Sequence, residues 1–205
     1  MTTKHFSDSF VYGYHDQNVR TLLPFVEHLV GRPCRALEIG AYEGKFSCWW
    51  MDNVGTHEDR EVRLVCLDNW SGYDTTIDMA PGTSTNDAER IFDANVRGYG
   101  MSVWKVKADS FDYLTAVKPN RKVFDFVLVD GEHEALDALT DLVLSWRLLR
   151  PGGVLAFDDY GWTVEAQPTR VRTPPKVAWD GFEATRPEGL VVLHRGWQVI
   201  AKKEG

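Results

Sequence analysis

Only three cysteines occur in 205 residues, Cys34, Cys48 and Cys66. No two of them have C-x-x-C spacing, so a small odd set offers no disulfide framework and no zinc-type ligand pattern. Cys48 and Cys66 lie among apolar residues and read as small buried thiols. No apolar run approaches the roughly 20 residues that a membrane-spanning helix needs. The opening stretch, MTTKHFSDSF, has no apolar core of signal-peptide length. A reducing, cytoplasmic setting is therefore expected, with no membrane as partner. Basic charge is short as well: 23 Lys and Arg against 30 Asp and Glu leave a formal net charge of -7. Neither a nucleic-acid backbone nor an anionic membrane rewards such a chain, so no nucleic-acid partner is expected. Arg170 and Arg172 are scattered and read as a solvated face. Internal repeats and low-complexity tracts are also missing.

What is present is ordinary for a soluble globular protein, with 43% hydrophobic and 26% charged residues. The length suits a single domain with a full core. Val19, Leu22, Leu23, Val26, Leu29 and Val30 recur at helix spacing, and Gly31, Arg32 and Pro33 end that pattern. The run CRALEIG reads as a first strand stopping at Gly40, and Lys45 to Met51 as a helix. EVRLVCLD is a second strand closing on Asp68. The stretch NWSGYDTTIDMAPGTST has turn residues but no period and reads as a long loop. Then come a helix over Asn86 to Arg97, a strand MSVWKVK, a short helix FDYLTAV and a strand VFDFVLV. Glu134 to Leu149 is an amphipathic helix, and PGGVLAF is the fifth strand. After a second loop, proline in the first turn marks PPKVAWDGFEAT as a helix. GLVVLHRGWQVIAKK closes the chain as two strands around Arg195 and Gly196. Alternating strands and helices imply an α/β fold: a mostly parallel sheet covered on both faces, ending in an antiparallel hairpin.

Ligands of such sheets gather beyond the carboxyl ends of the strands, near the switch in strand order. The first strand delivers Glu38, Gly40, Ala41, Tyr42 and Gly44 to that edge. Gly40 permits a tight turn with bare backbone, and Gly44 opens the helix. Asp68, followed by Asn69, ends the second strand, where a carboxylate can accept hydrogen bonds from both hydroxyls of a ribose. A dinucleotide fingerprint requires G-x-G-x-x-G, and Tyr42 stands where its middle glycine would be. That bulk crowds a pyrophosphate. A cofactor without phosphates, such as S-adenosylmethionine, asks less of the turn.

At these residues the sequence resembles the class I S-adenosylmethionine-dependent methyltransferases, from about Arg35 to Lys203. Glu38, Gly40 and Gly44 match the family's E-x-G-x-x-x-G motif, and Asp68 its acidic end of strand two. Asp109 with Ser110 matches the acidic position after strand three, which in the family lies by the adenine. LRPGGVLAFDDY is similar to the family's lead into strand five, and the terminal stretch to its closing hairpin. The resemblance implies a Rossmann-like seven-stranded sheet of order 3-2-1-4-5-7-6, with strand seven antiparallel. It divides the chain into an N-terminal helical segment, 1–33, and a core, 34–205, within one methyltransferase domain. The likeness is greatest to small bacterial metal-dependent O-methyltransferases of the macrocin type, which carry D-G-x-H or D-G-D after strand four and D-D after strand five. Tyr42 departs from the commoner second glycine.

Asp130 ends strand four in VLVDGEH, and Asp158 and Asp159 end strand five in VLAFDDY. Neighbouring strands lie about 5 Å apart, and three carboxylates so placed cannot all ionise without compensation. A divalent cation is the simplest compensation, and hard oxygen ligands suit Mg²⁺. The resembled group uses such a triad to hold a metal against the acceptor, which would lower the pKa of the attacking hydroxyl. On this reading Asp130, Asp158 and Asp159 hold Mg²⁺. Asp130 and His133 are the catalytic pair, His133 taking the acceptor's proton with an imidazole whose free pKa is about 6.5. Other roles stay open: a protonated Asp158, an Asp159 turn cap, an Asp130 serving its own loop, and a supporting His133. Glu132 and Glu134 read as exposed helix-start carboxylates. Trp70, Tyr73, Tyr160 and Trp162 fall in loops at the same edge, as a wall for the acceptor or as loop packing. The expected partner is a small-molecule acceptor. The N-terminal segment caps the site or pairs two chains, so a homo-oligomer stays possible.

Overall fold

The computed structural model describes residues 4–6, 9–55, 63–71, 87–117, 123–163 and 172–205, with side chains of the first helix from residue 16 onward. Tyr73, His57 and Arg170, and parts of both long loops, lie outside them. In chain order the elements are α1 (Ser9–Val26), β1 (Arg35–Ile39), α2 (Lys45–Asn53), β2 (Arg63–Asp68) and α3 (Ala88–Val96). They continue with β3 (Val103–Lys107), α4 (Ser110–Ala116), β4 (Phe124–Val129), α5 (Ala135–Leu148) and β5 (Leu149–Phe157). The chain closes with α6 (Pro175–Ala184), β6 (Leu190–Arg195) and β7 (Val199–Lys203).

The strands form one seven-stranded sheet of order β3-β2-β1-β4-β5-β7-β6. The pairs of β1 to β5 are parallel, and β7 is antiparallel to both its neighbours. This is the Rossmann-like order that the resemblance implied. Alternation along the strands explains why both faces are covered. Ala36, Leu64, Cys66, Phe126, Leu128, Val154, Ala156 and Ile200 point into one core, where Phe46 and Trp50 of α2 and Phe92 of α3 meet them. Their sequence neighbours Leu37, Ile39, Val65, Leu67, Val127, Val129, Leu155, Phe157 and Val199 point into the other, against Leu142 and Trp146 of α5 and Trp179 of α6. Trp50 is wholly buried and stacks on Phe126 with ring centroids 4.5 Å apart. Cys34, Cys48 and Cys66 are all buried and free. Among the described residues no helix is long and apolar enough to cross a membrane.

Register sets what the sheet presents at its carboxyl edge. Ile39 pairs with both Leu67 and Val129, Val129 with Phe157, and Phe157 with Val199. Gly40, Asp68, Asp130, Asp158 and Gln198 therefore stand in one row across five strands. The backbone ladder runs one residue past the strands, through Gly40 N to Leu67 O, Asp130 N to Ile39 O and Asp158 N to Val129 O. Strand order reverses between β1 and β4, where a sheet of this kind opens its crevice.

Candidate active site

Gly40 is required by contact as well as by conformation. Its φ is +88°, and a Cβ placed there would lie 2.0 Å from the Asp130 carbonyl oxygen. The ends of β1 and β4 thus touch through bare backbone. Gly44, at φ +78°, turns the chain into α2, and a Cβ there would meet the ring of Phe92 at 2.9 Å. Between them Tyr42 takes φ +46°, a left-handed conformation unusual for a bulky residue. Its N–H donates to Asp68 Oδ2 at 2.8 Å, and Trp70 N–H donates to Asp68 Oδ1 at 2.7 Å. Trp70 itself sits at φ +46° and donates its indole N–H to the Tyr42 carbonyl. Asp68 therefore ties the turns after β1 and β2 together. Burial pushes its carboxyl up, and the backbone donors, Tyr42 first, act against that. Asn69 is exposed and caps its own turn by accepting from Ser71. At the end of β3, Asp109 caps α4 by accepting from Phe111 N–H at 2.9 Å, with Ser110 as the first helical residue.

The structure turns Glu38 inward, although it was expected at the cofactor. It is 1% exposed on the strand face beneath α2 and accepts the hydroxyl of Ser47. Burial pushes its carboxyl up to about 8, so it holds a proton at neutral pH. This follows from period-2 alternation, which puts Glu38 on the same face as Ala36 and beside Cys66 of β2.

The three aspartates are compensated individually. Asp159 Oδ2 lies 2.7 Å from His133 Nε2, and its Oδ1 accepts the indole N–H of Trp197 at 3.1 Å. The Asp159 backbone is left-handed, at φ +56°, a strain of the kind that collects at functional sites. Asp158 accepts four N–H contacts: both oxygens face Asn18 Nδ2 at 2.9 and 3.0 Å, Oδ2 also takes Gln198 Nε2 at 3.1 Å, and Oδ1 takes Asp159 N–H at 2.8 Å. Burial and then the Asp159 charge push Asp158 up, while its N–H donors favour the ionised form. Burial, followed by the charges of Asp158 and Asp159, pushes Asp130 well above the usual carboxylate range.

In this arrangement Asp158 and Asp159 each have partners of their own. Among the described residues, no group of three or more His, Cys, Asp or Glu is arranged to hold a metal ion. Three nitrogen donors make these four contacts with the two Asp158 oxygens. Asp159 is turned toward His133.

Trp197, Asn18 and Gln198 escaped the reading of the sequence. They arrive from the β6–β7 turn, from α1 and from the start of β7, at separations of 38, 140 and 40 residues from their aspartate partners. No local pattern marks them. The strand-five resemblance and the hairpin were the available signals, since an antiparallel β7 beside β5 must bring residue 198 opposite 158. Trp162 is 9% exposed and its ring lies 5.5 Å from that of His133, so it packs the imidazole in place. Trp70 is buried too. Tyr160 is half-buried, with Lys176 and Arg195 over its ring.

A family profile described as a methyltransferase domain matches residues 37–160. No curated protein matches the chain. Solved structures do. The O-methyltransferase TomG from Streptomyces achromogenes, involved in tomaymycin synthesis and solved with S-adenosylmethionine, is 18% identical, with 93% of this chain and 80% of TomG covered and a TM-score of 0.64. A protein from Corynebacterium glutamicum is 19% identical over 100% of this chain and 93% of its own, with a TM-score of 0.60. MycE, a methyltransferase of the mycinamycin biosynthetic pathway solved with Mg and S-adenosylhomocysteine, is 18% identical over 90% of this chain and 49% of its own, with a TM-score of 0.56. At such identities the likeness is one of fold.

Proposed function

This chain belongs to the methyltransferase-domain family, and from that premise we propose that it moves the methyl group of S-adenosylmethionine to a hydroxyl of a small molecule. The observation that carries the proposal is the His133–Asp159 pair, held at 2.7 Å by segments that follow β4 and β5. The cofactor end fits a sulfonium nucleoside by its donor set. Asp68 offers a carboxylate at the end of β2, Asp109 another at the end of β3, and Gly40 with Ala41, Tyr42 and Gly44 makes the turn between β1 and α2. TomG, of like fold, was solved with that cofactor. The bound sulfonium would supply an electrophilic methyl and add one positive charge to an acidic pocket.

This chain's residues do the rest. An imidazole that donates from Nε2 to Asp159 accepts at Nδ1, so Asp159 sets the tautomer and steadies the imidazolium that forms. His133 takes the acceptor's hydroxyl proton as the oxygen attacks. Trp162 and Trp197 hold the pair in place by packing and by the indole N–H. Such a base contributes about 10²–10⁴-fold to a rate. The test is transfer of labelled methyl from the cofactor to a panel of sugar, phenol and aliphatic hydroxyl acceptors. Binding of S-adenosylhomocysteine by calorimetry is the second measurement. Labelled product from a hydroxyl acceptor is expected; failure to bind the cofactor product would sink the reading.

Assistance by Mg²⁺ is the second reading. What favours it is the meeting of Asp130, which burial and then the charges of Asp158 and Asp159 push up, with those two carboxylates; MycE, solved with Mg, shares the fold. On that reading a chelator abolishes turnover, added Mg²⁺ restores it, and Asp130→Asn weakens Mn²⁺ binding measured by electron paramagnetic resonance. Turnover unchanged after chelation rejects it and leaves the His133–Asp159 pair acting alone.

A further inference from the structure

We infer that Asn18, carried on the N-terminal helix α1, is a positioning residue that sets the geometry of the His133–Asp159 pair through Asp158. The inference rests on the reading of that pair as the base of methyl transfer, and it adds a part of the chain that precedes the family match at residue 37.

The contacts form a chain. Asn18 is 8% exposed, and its Nδ2 reaches both oxygens of Asp158, at 2.9 and 3.0 Å. Gln198, 4% exposed, donates to the same carboxylate from β7 at 3.1 Å. Asp158 Oδ1, so oriented, accepts the N–H of Asp159 at 2.8 Å. That bond closes over the left-handed Asp159 backbone at φ +56°. A non-glycine residue held there costs on the order of 1–3 kcal/mol and persists only where its surroundings over-determine it. The carboxamide clamp supplies part of that determination. Two further contacts complete it, since Trp162 N–H donates to the Asp159 carbonyl and Trp197 donates to its carboxylate. Without the clamp, Asp158 can rotate, the Asp159 N–H loses its acceptor, and the carboxylate facing His133 relaxes.

The helix that carries Asn18 is tethered a second time. Asp16, two residues earlier, pairs with Lys45 at 3.1 Å, and Lys45 is the first residue of α2, directly after Gly44. Helix α1 therefore reaches from the cofactor turn to the end of β5. Apolar packing of Val19, Leu22 and Val26 into the core fixes its remaining face, so the helix does not depend on Asn18 for its place. The role of Asn18 is thus separable from the stability of the fold.

The test compares the full-length protein with Asn18→Leu, which removes the N–H donors at similar volume, with Gln198→Leu, and with Asn18→Gln, which keeps a carboxamide. Three readouts are taken: kcat with the KM for S-adenosylmethionine, affinity for S-adenosylhomocysteine by calorimetry, and the imidazole N–H proton resonance of His133. The expected result is a kcat lowered about tenfold to a hundredfold in both leucine variants, the scale of a small misplacement at a site. Affinity for the cofactor product should stay within about twofold. The His133 N–H resonance should broaden or vanish in both, and Asn18→Gln should recover part of each effect. A kcat and a resonance unchanged in both leucine variants would overturn the inference. So would a loss of cofactor-product affinity as large as the loss of kcat. The resonance needs no acceptor, so the contact chain can be judged even if no hydroxyl is methylated.

Discussion

Asp130, Asp158 and Asp159 stand within one turn of adjacent strand ends, and each is balanced by different means. Burial and then the neighbouring charges push Asp130 up, Asp158 is wrapped in N–H donors, and Asp159 faces an imidazole. Asp159→Asn keeps the shape but offers its carboxamide to His133 in place of a charge. Its kcat should fall by about 10²-fold or more, by analogy with other oriented imidazole bases, with affinity for S-adenosylhomocysteine unchanged by calorimetry. Glu38 gives a pH prediction. Its folded pKa of about 8 lies above the free value of 4.5, so the folded state binds the proton more tightly than the unfolded one. Stability from this group is complete below about pH 4.5 and is lost as pH rises toward 8. Glu38→Gln, which cannot ionise, should gain stability relative to the wild type across that window. The gain approaches several kcal/mol at the scale of about 1.4 kcal/mol per pKa unit. Denaturant melts at pH 5, 6.5 and 8 measure it; a difference independent of pH contradicts the assignment.

At the scale of elements, the turn between β1 and α2 has no room for a side chain at Gly40. Gly40→Ala would force a Cβ to 2.0 Å from the Asp130 carbonyl and hold alanine at φ +88°. A loss of at least about 3 kcal/mol is expected from the strain and the clash together, seen in thermal unfolding, with weakened cofactor binding. Undiminished stability would show that the β1–β4 contact can yield. Most elements were legible because their patterns are local. Strands read as short apolar runs closed by Gly or Asp, and α5 as a clear 3.6 period. Most ends moved by one or two residues, as hydrogen bonding rather than composition decides them, but α1 runs from Ser9 to Val26 where the apolar spacing marked Val19 to Val30. Glu38 was misplaced because a motif names a residue without saying which face it takes; alternation along β1 turns it inward. The carboxamides of Asn18 and Gln198 and the indole of Trp197 were illegible because they depend on pairings 140, 40 and 38 residues apart. Charge repulsion among the aspartates was readable from strand ends alone. The means of relieving it was not, since it lies in α1 and the hairpin.

On the scale of the whole molecule, the sheet order places the turn after β1, the buried Asp130 and the His133–Asp159 pair at one edge, with α1 bound to Lys45 and to Asp158 there. The net charge of -7 disfavours a polyanionic partner. The measurement that bears most directly on this account is chemical rescue of His133→Ala. Once a hydroxyl acceptor is in hand, turnover of that variant should fall at least about 10²-fold, its affinity for S-adenosylhomocysteine should hold, and added imidazole should restore a measurable part of the rate. A His133→Ala protein that methylates within about threefold of the wild-type rate would contradict it.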